Sequence, residues 1–268
     1  YDIDTNKRIT ISTWQSLYKM PKKFFEDYGA VIGDEAHLFK AVSLTKIMTK
    51  LVDCKYRIGL TGTLDDSKTH KLVLQGLFGM VNKVVSTAEL IDRKQLAQLK
   101  VICLNLKYNE VESKKVKDVK YFEELEYITS SKPRNKYIRN LALALNGNTL
   151  LLFQLVEKHG EILFNLIKEK ADQKRKVFFV FGGTDTDDRE QIRAITERED
   201  NAIIVASYGT FSTGINIRNL HNIVFSSPTK SPIRVLQSIG RGLRVGDKKD
   251  SATAVSYTHL TLPTKSSG

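Results

Sequence analysis

Short apolar runs, each followed by a stretch of helical period, recur along this chain and restrict its fold more than any other feature. Residues 30–33, 57–60, 149–153, 177–181, 202–206 and 222–226 are β-rich runs bounded by polar or glycine residues. Between them, Val42, Leu44, Ile47, Met48 and Leu51 stand at helical spacing, and residues 72–78, 136–145, 160–170, 187–199 and 233–239 read as helices. Strands alternating with helices predict an α/β chain whose parallel sheets carry helices on their faces. Residues 8–12 read as one more strand, running into a short helix at 13–17, and residues 24–28 as a connecting helix.

One segment breaks the alternation. Residues 107–136 are rich in Lys and Glu and end near Ser130-Ser-Lys-Pro133. They read as a linker with an amphipathic helical stretch at 121–128. The expected organisation is therefore a first lobe over 1–106, a linker over 107–136 and a second lobe over 137–255. Residues 256–268 show no helical period and break off an expected last strand at 253–255, so they read as a non-native or disordered tail. The chain opens on Tyr1 and its first strand follows almost at once, which reads as an excision from a longer protein.

Composition narrows the class. The 268 residues are 41% hydrophobic, which suits globular lobes rather than disorder. Lys plus Arg number 42 against 30 Asp plus Glu, a formal charge of +12. That excess favours a polyanion, most simply nucleic acid, although a generally basic soluble surface would carry the same charge. Cys54 and Cys103 stand in no C-x-x-C spacing and read as packed small residues of a reducing compartment. No apolar run approaches the ~18–20 residues of a membrane span and no signal peptide opens the chain, so a cytoplasmic location is expected.

The chemistry-bearing residues sit at strand ends. Asp34-Glu35-Ala36-His37 closes the run at 30–33 and delivers adjacent carboxylates to the end of a buried strand. Two carboxylates there can hold Mg²⁺ and orient an attacking water, whereas Asp34 alone also suits a helix N-cap with no metal. Thr61-Gly-Thr63 ends the next strand and is also ordinary turn chemistry. Thr13-Trp14-Gln15 reads as the start of a short helix, with Trp14 either in the core or stacked on a base. Gly182 and Gly183 allow a tight turn, with Thr186 or Asp187 to cap the helix after it. Ser207, Thr210, Gly214 and Asn216 belong to a hydroxyl-rich loop after the strand at 202–206. In Gln237-Ser-Ile-Gly-Arg-Gly-Leu-Arg244, positions 237, 241 and 244 share one helical face, and Gly240 and Gly242 would weaken a merely solvated helix.

The acidic string and the Q-x-x-G-R-x-x-R pattern together resemble motifs II and VI of the superfamily 2 helicases and translocases. The resemblance extends over about residues 8–255. Residues 203–214 followed by 235–241 look most similar to the recombination-repair helicase family of T4-like bacteriophages, which remodels branched DNA and R-loops. It implies two RecA-like lobes, with ATP and Mg²⁺ as cofactors and single-stranded or branched DNA, and RNA in R-loops, as partners. Host-cell cytoplasm is the location it implies.

Residue roles follow from the matched motifs. Asp34 and Glu35 are the metal and water-activating pair, His37 the coupling residue, and Gln237, Arg241 and Arg244 complete the catalytic set. Thr61, Thr63, Gly214 and Asn216 are implied at the nucleotide, though the family often has Asp where Asn216 stands. Thr13, Trp14, Gln15, Gly182, Ser207 and Thr210 are implied on nucleic acid. No G-x-x-x-x-G-K-S/T string occurs in these residues, so the first lobe is expected to be incomplete and this chain alone inactive as an ATPase. A restriction-system motor subunit and a non-catalytic nucleic-acid-binding module are the alternative readings.

Overall fold

The structure, a computed structural model, describes residues 8–40, 42–62, 64, 68–106, 110–115, 119–214, 217–246 and 249–259. It divides into two compact units, Tyr1–Val84 and Val85–Gly268.

In the first unit, helix α1 (Trp14–Leu17) and a 3₁₀ turn (Lys22–Phe25) precede strand β1 (Ala30–Gly33). A second 3₁₀ turn (Ala36–Lys40), helix α2 (Val42–Lys50), strand β2 (Tyr56–Gly59) and helix α3 (Lys68–Phe78) follow. β1 and β2 pair in parallel from Ala30–Tyr56 to Gly33–Gly59. α2 turns Leu44, Ile47 and Met48 inward, and these pack with buried Phe25, Leu51 and Cys54. The expected strand at 8–12 does not form. Ile9 and Ile11 are 77% and 94% exposed, and among the described residues no strand lies beside them to take up their backbone hydrogen bonds.

The second unit opens with helix α4 (Thr87–Asp92), strand β3 (Gln98–Leu106) and helix α5 (Glu110–Lys115). Helices α6 (Tyr121–Ser130) and α7 (Lys132–Ala144) lead to strand β4 (Thr149–Phe153) and helix α8 (Glu161–Lys170). Strand β5 (Val177–Val180), helix α9 (Thr186–Arg198), strand β6 (Ile203–Ser207) and helix α10 (Tyr208–Gly214) come next. Strand β7 (Asn222–Phe225), helix α11 (Pro232–Gly242) and strand β8 (Ser251–His259) complete it. The sheet has six strands, ordered β3-β8-β7-β4-β6-β5, and every pairing in it is parallel.

Alternation along the strands builds two apolar layers. Leu150, Leu152, Ile204, Ala206, Ile223 and Phe225 pack on one face with Tyr208, Phe211, Val235 and Ile239 of α10 and α11. Leu151, Phe153, Ile203, Val205 and Val224 pack on the other with Ile138, Ala142, Leu163 and Ile167 of α7 and α8. All five residues of β4 are buried, as a strand covered on both faces must be.

Four expectations change here. The boundary expected at 106/107 lies at 84/85, because β3 pairs with β8 along its whole length, from Gln98–Ser251 to Leu106–His259. The expected linker holds α5, the whole of α6 and the start of α7, with Pro133 in the first turn of α7, where its missing N–H costs nothing. The expected tail continues β8 to His259, and Tyr257 is buried in the core beneath the Arg134 guanidinium, 5.4 Å from its ring centre. Cys54 is buried as expected but Cys103 is exposed, since it points outward between Ile102 and Leu104 on an alternating edge strand. Among the described residues no helix is long and apolar enough to cross a membrane.

A buried polar hub fixes the end of the sheet where β4 begins. The Asn148 Nδ2 lies 2.9, 2.6 and 2.7 Å from the carbonyls of Thr196, Glu199 and Asn219, and its Oδ1 accepts the Ala202 amide at 2.7 Å. Truncation strands these groups without water. Asn148→Ala is expected to lower stability by about 3 kcal/mol, read as a fall in urea midpoint at unchanged slope; an unchanged midpoint would show that the hub is dispensable.

Candidate nucleotide and nucleic-acid sites

In the first unit, the end of β1 is shaped by two aromatic rings. Phe39 and Phe78 meet edge to face at 5.1 Å, and a Cβ added at Gly33 would come within 2.9 Å of Phe39 and 3.0 Å of Phe78. A Cβ at Gly59, its partner across the pair, would meet Phe78 and Ala36 at 3.0 Å. Two glycines let the rings close over the strand ends, which turns the chain sharply at Asp34.

Both carboxylates beyond that turn are exposed. Asp34 Oδ1 accepts the Glu35 amide at 2.9 Å, and Glu35 adopts φ +49°, the left-handed region that a side chain normally avoids. The strained geometry is held from both sides: the Ala36 amide donates to the Leu60 carbonyl at 2.7 Å and the Leu38 amide to the Glu35 carbonyl at 2.9 Å. His37 is buried, with Nδ1 3.0 Å from Thr61 Oγ1 and 3.3 Å from Glu35 Oε2. One imidazole thus joins the acidic turn to the turn after β2. Thr63 lies outside the described residues. Thr13 takes the N-cap position of α1 with its hydroxyl 3.3 Å from Ser16, while Trp14 is 41% exposed and Gln15 is exposed. Trp14 is therefore not a core residue.

In the second unit, Ser207 and Thr210 pair with each other. Their hydroxyls are 2.8 Å apart, and the Thr210 amide donates to Ser207 Oγ at 3.3 Å, so Ser207 opens α10 while Thr210 is buried. Gly214 closes α10, and Asn216 lies outside the described residues. Gly182 lies in the turn after β5, where its carbonyl accepts Arg189 Nη2 at 3.0 Å. Its neighbour Gly183 is the packed one: a Cβ there would meet the Phe181 ring at 2.7 Å. Asp185, rather than Thr186 or Asp187, takes the N-cap position of α9.

Gln237 and Arg241 lie one turn apart on α11, both half-buried, and the Arg241 guanidinium stands 5.9 Å over the Phe211 ring of α10. Arg244 leaves the face expected for it. α11 ends at Gly242, and the backbone of Arg244 bridges antiparallel to Leu96. The cause is a buried ammonium that sequence reading missed. Lys249 Nζ donates to the Gly242 carbonyl, to that of Arg244 at 3.2 Å and to that of Arg218 at 3.5 Å. It thereby caps the helix end and turns the chain. Burial lowers its pKa to about 8, with Glu197 pulling the other way. Of the two close glycines, Gly242 lets α11 approach β7, since a Cβ there would strike Ile223 at 2.3 Å, whereas Gly240 faces open space.

Ser227 ties together the elements behind these loops. Its Oγ accepts the Gln154 amide at 3.1 Å and lies 2.9 Å from His159 Nδ1, while its carbonyl accepts the Tyr208 hydroxyl at 2.7 Å. His159 is fully buried, and burial, then Arg134, pushes its pKa down to about 3. The spacing of these residues in sequence gives no sign that they meet.

The described residues hold no cluster of three metal-ligating side chains. Asp34 and Glu35 suit Mg²⁺ as that ion is held in phosphoryl-transfer sites, through one or two carboxylates with phosphate and water completing the shell.

Residues 133–246 match the helicase conserved C-terminal domain, and residues 1–66 match the res subunit of type III restriction enzymes. The ATP-dependent DNA helicase uvsW of Enterobacteria phage T4 is 39% identical over 248 residues, 91% of this chain and 49% of that protein. The crystal structure of T4 UvsW superposes with a TM-score of 0.52 at 37% identity, covering 91% of this chain and 47% of that one. A type ISP restriction-modification enzyme, LlaBIII bound to DNA, shares the fold with a TM-score of 0.65 at 17% identity, over 94% of this chain and 20% of its own. The chain spans about half the length of the T4 relative.

Two outcomes test this geometry. Replacing Glu35 by Gly relieves the left-handed strain, so Glu35→Gly is expected to be about 1 kcal/mol more stable than Glu35→Ala in chemical unfolding. Equal stabilities would show that the turn relaxes freely. His159 is neutral in both folded and unfolded chains above pH 6.5. Between 6.5 and about 3 only the unfolded chain takes up its proton, so stability falls as pH drops through that window. A His159→Gln variant is expected to lose that part of the acid dependence in pH-dependent denaturation; an unchanged profile would place the acid response elsewhere.

Proposed function

Since this chain belongs to the superfamily 2 helicases, we propose that it carries working parts of an ATP-dependent DNA helicase or translocase acting on branched DNA or R-loops in recombination, repair and replication. The observation that carries the reading is the Asp34–Glu35 turn. Two adjacent carboxylates stand at the end of a parallel strand, one of them in a strained backbone conformation, and a buried histidine links them to the hydroxyl of the next strand end. Strain of this kind persists where the surroundings over-determine it, and such positions cluster at working sites.

The proposed roles are those that the matched motifs imply, and the contacts of His37 with Glu35 and Thr61 support them. Asp34 and Glu35 would hold Mg²⁺, and that ion would neutralise charge on the phosphates of ATP. Glu35 accepts the hydrogen bond that orients the attacking water. His37 couples Glu35 to Thr61 through one ring nitrogen, Nδ1, and so to the turn after β2. In the second unit, Gln237 and Arg241 share a helical face, and Arg241 and Arg244 supply positive charge for a transferring phosphoryl group. Thr13, Trp14, Gln15, Gly182 and Ser207 are proposed on the nucleic-acid strand, largely through phosphate, so sequence preference is expected to be low. Thr210 supports Ser207 from beneath.

A restriction-system motor is the second reading, favoured by the match of residues 1–66 to the res subunit of type III restriction enzymes. It predicts DNA cleavage or modification by the intact assembly.

In the full-length protein, Glu35→Gln is expected to cut DNA-stimulated ATP hydrolysis by a factor of about 10²–10⁴ while ATP binding persists. Asp34→Ala is expected to abolish it. Hydrolysis that survives both changes sinks the motor assignment.

A further inference from the structure

The winding of the six-stranded sheet reverses at β4. From β4 the chain moves to β5 and β6 on one side, then crosses to β7 and β8 on the other. In open parallel sheets a ligand crevice forms outside the carboxyl ends of the strands at such a reversal. A cavity of about 500 Å³, open to solvent, lies there. Gln154 lines it just beyond β4, Lys230, Ser231 and Arg234 line it beyond β7, and Tyr121 of α6 closes one side.

Its chemistry is that of an anion site. The lining holds two cations and no carboxylate. The Lys230 ammonium sits 4.2 Å over the Tyr121 ring, a cation–π contact that orders a side chain otherwise free in solvent. Ser231 caps α11 by accepting the Arg234 amide at 3.3 Å, so the positive end of an eleven-residue helix opens at the cavity. Glu124, one turn along α6 from Tyr121, is buried; burial raises its pKa while Lys230 opposes the shift.

The scaffold beneath is rigid. Ser226 Oγ donates to the Leu152 carbonyl at 2.7 Å, and Arg134 Nη2 donates to the Ser226 carbonyl at 2.6 Å. Ser227 holds the Gln154 amide, and the Tyr121 hydroxyl donates to the Pro228 carbonyl at 3.4 Å. A site whose lining loops are fixed from behind in this way needs little reordering to bind.

We propose that this cavity binds a phosphodiester group of a nucleic-acid strand, with Lys230 and Arg234 as its charge partners and Gln154 and Ser231 as its hydrogen-bonding groups. The inference rests on the helicase reading and adds to it a strand contact outside every residue assigned to nucleic acid above. The open form of the cavity suits a chain passing through it rather than an enclosed small molecule.

The test is binding of a fluorescein-labelled single-stranded oligo(dT) to this chain without nucleotide, followed by anisotropy from about 50 mM to roughly 200 mM NaCl. Lys230→Ala/Arg234→Ala is compared with Lys170→Ala/Lys174→Ala, which removes the same charge from the far end of α8 and the turn after it. The cavity variant is expected to bind about tenfold more weakly at the lowest salt. Its slope of log affinity against log salt should fall by about 0.7 for each lost contact, whereas the control should stay near wild type. Equal losses in the two variants would reduce the cavity to diffuse surface charge and overturn the proposal. Inorganic phosphate is titrated calorimetrically in parallel. Phosphate binding lost in the cavity variant, with oligonucleotide binding unchanged, would assign the site to a free phosphate and overturn the strand. A wild-type chain that binds no oligonucleotide would bring down the nucleic-acid reading itself; a normal wild-type isotherm beside a neutral cavity variant overturns the cavity alone.

Discussion

Burial of β4 on every side is the constraint from which the second unit follows. β6 and β7 take its backbone hydrogen bonds on either edge, and helices cover both faces. A strand so enclosed can hold only residues without unmet polar needs, and its sequence, Thr-Leu-Leu-Leu-Phe, meets that condition. Polar groups are displaced to its two ends, which then do different work. Before β4, Asn148 satisfies four backbone groups and sets how the loops close. Beyond β4, Ser226 and Ser227 tie the chain to Leu152, Gln154, His159 and Tyr208.

The same division recurs on a smaller scale in the first unit. Gly33 and Gly59 let Phe39 and Phe78 close over the pair of strands, and two residues beyond Gly33 the chain passes through the left-handed conformation of Glu35. Hydrogen bonds from Ala36 and Leu38 hold the turn, and His37 connects it to Thr61. The residues that define the acidic string are therefore of two kinds: Asp34 and Glu35 face solvent, while Ala36 and His37 are buried and fasten the turn to its neighbour.

The basic helix shows how a buried charge can serve geometry. Lys249 is nearly without solvent contact, and desolvation works against its protonated form. It spends its donors on carbonyls at the end of α11 and at Arg218, while the Glu197 carboxylate accepts the amides of Arg218 at 2.6 Å and Asn219 at 3.2 Å from the other side. Opposite charges on two elements thereby hold the segment after α10 beside the end of the arginine helix. Arg244 is turned off the helix as a result, so Arg241 and Arg244 approach their surroundings from different backbone directions.

Much of this was legible in the chain itself. Period and composition located β1, β2, β4 to β7 and the helices between them, and strand-end chemistry singled out Asp34, Glu35, Ser207 and Arg241, because those signals lie within a few consecutive residues. Tertiary structure alone decided which strands are neighbours. It drew β3 into the second unit beside β8, carried β8 beyond Val255, left residues 8–12 outside any strand and turned Cys103 outward. It also buried Thr210, ended α11 before Arg244, and brought Tyr121, Gln154 and Lys230 together around one cavity. The physical reason is common to all of these. A periodic pattern states which face of an element must be buried, but the partner that buries it, and the carbonyl that a side chain such as Lys249 will find, belong to contacts between residues distant in sequence.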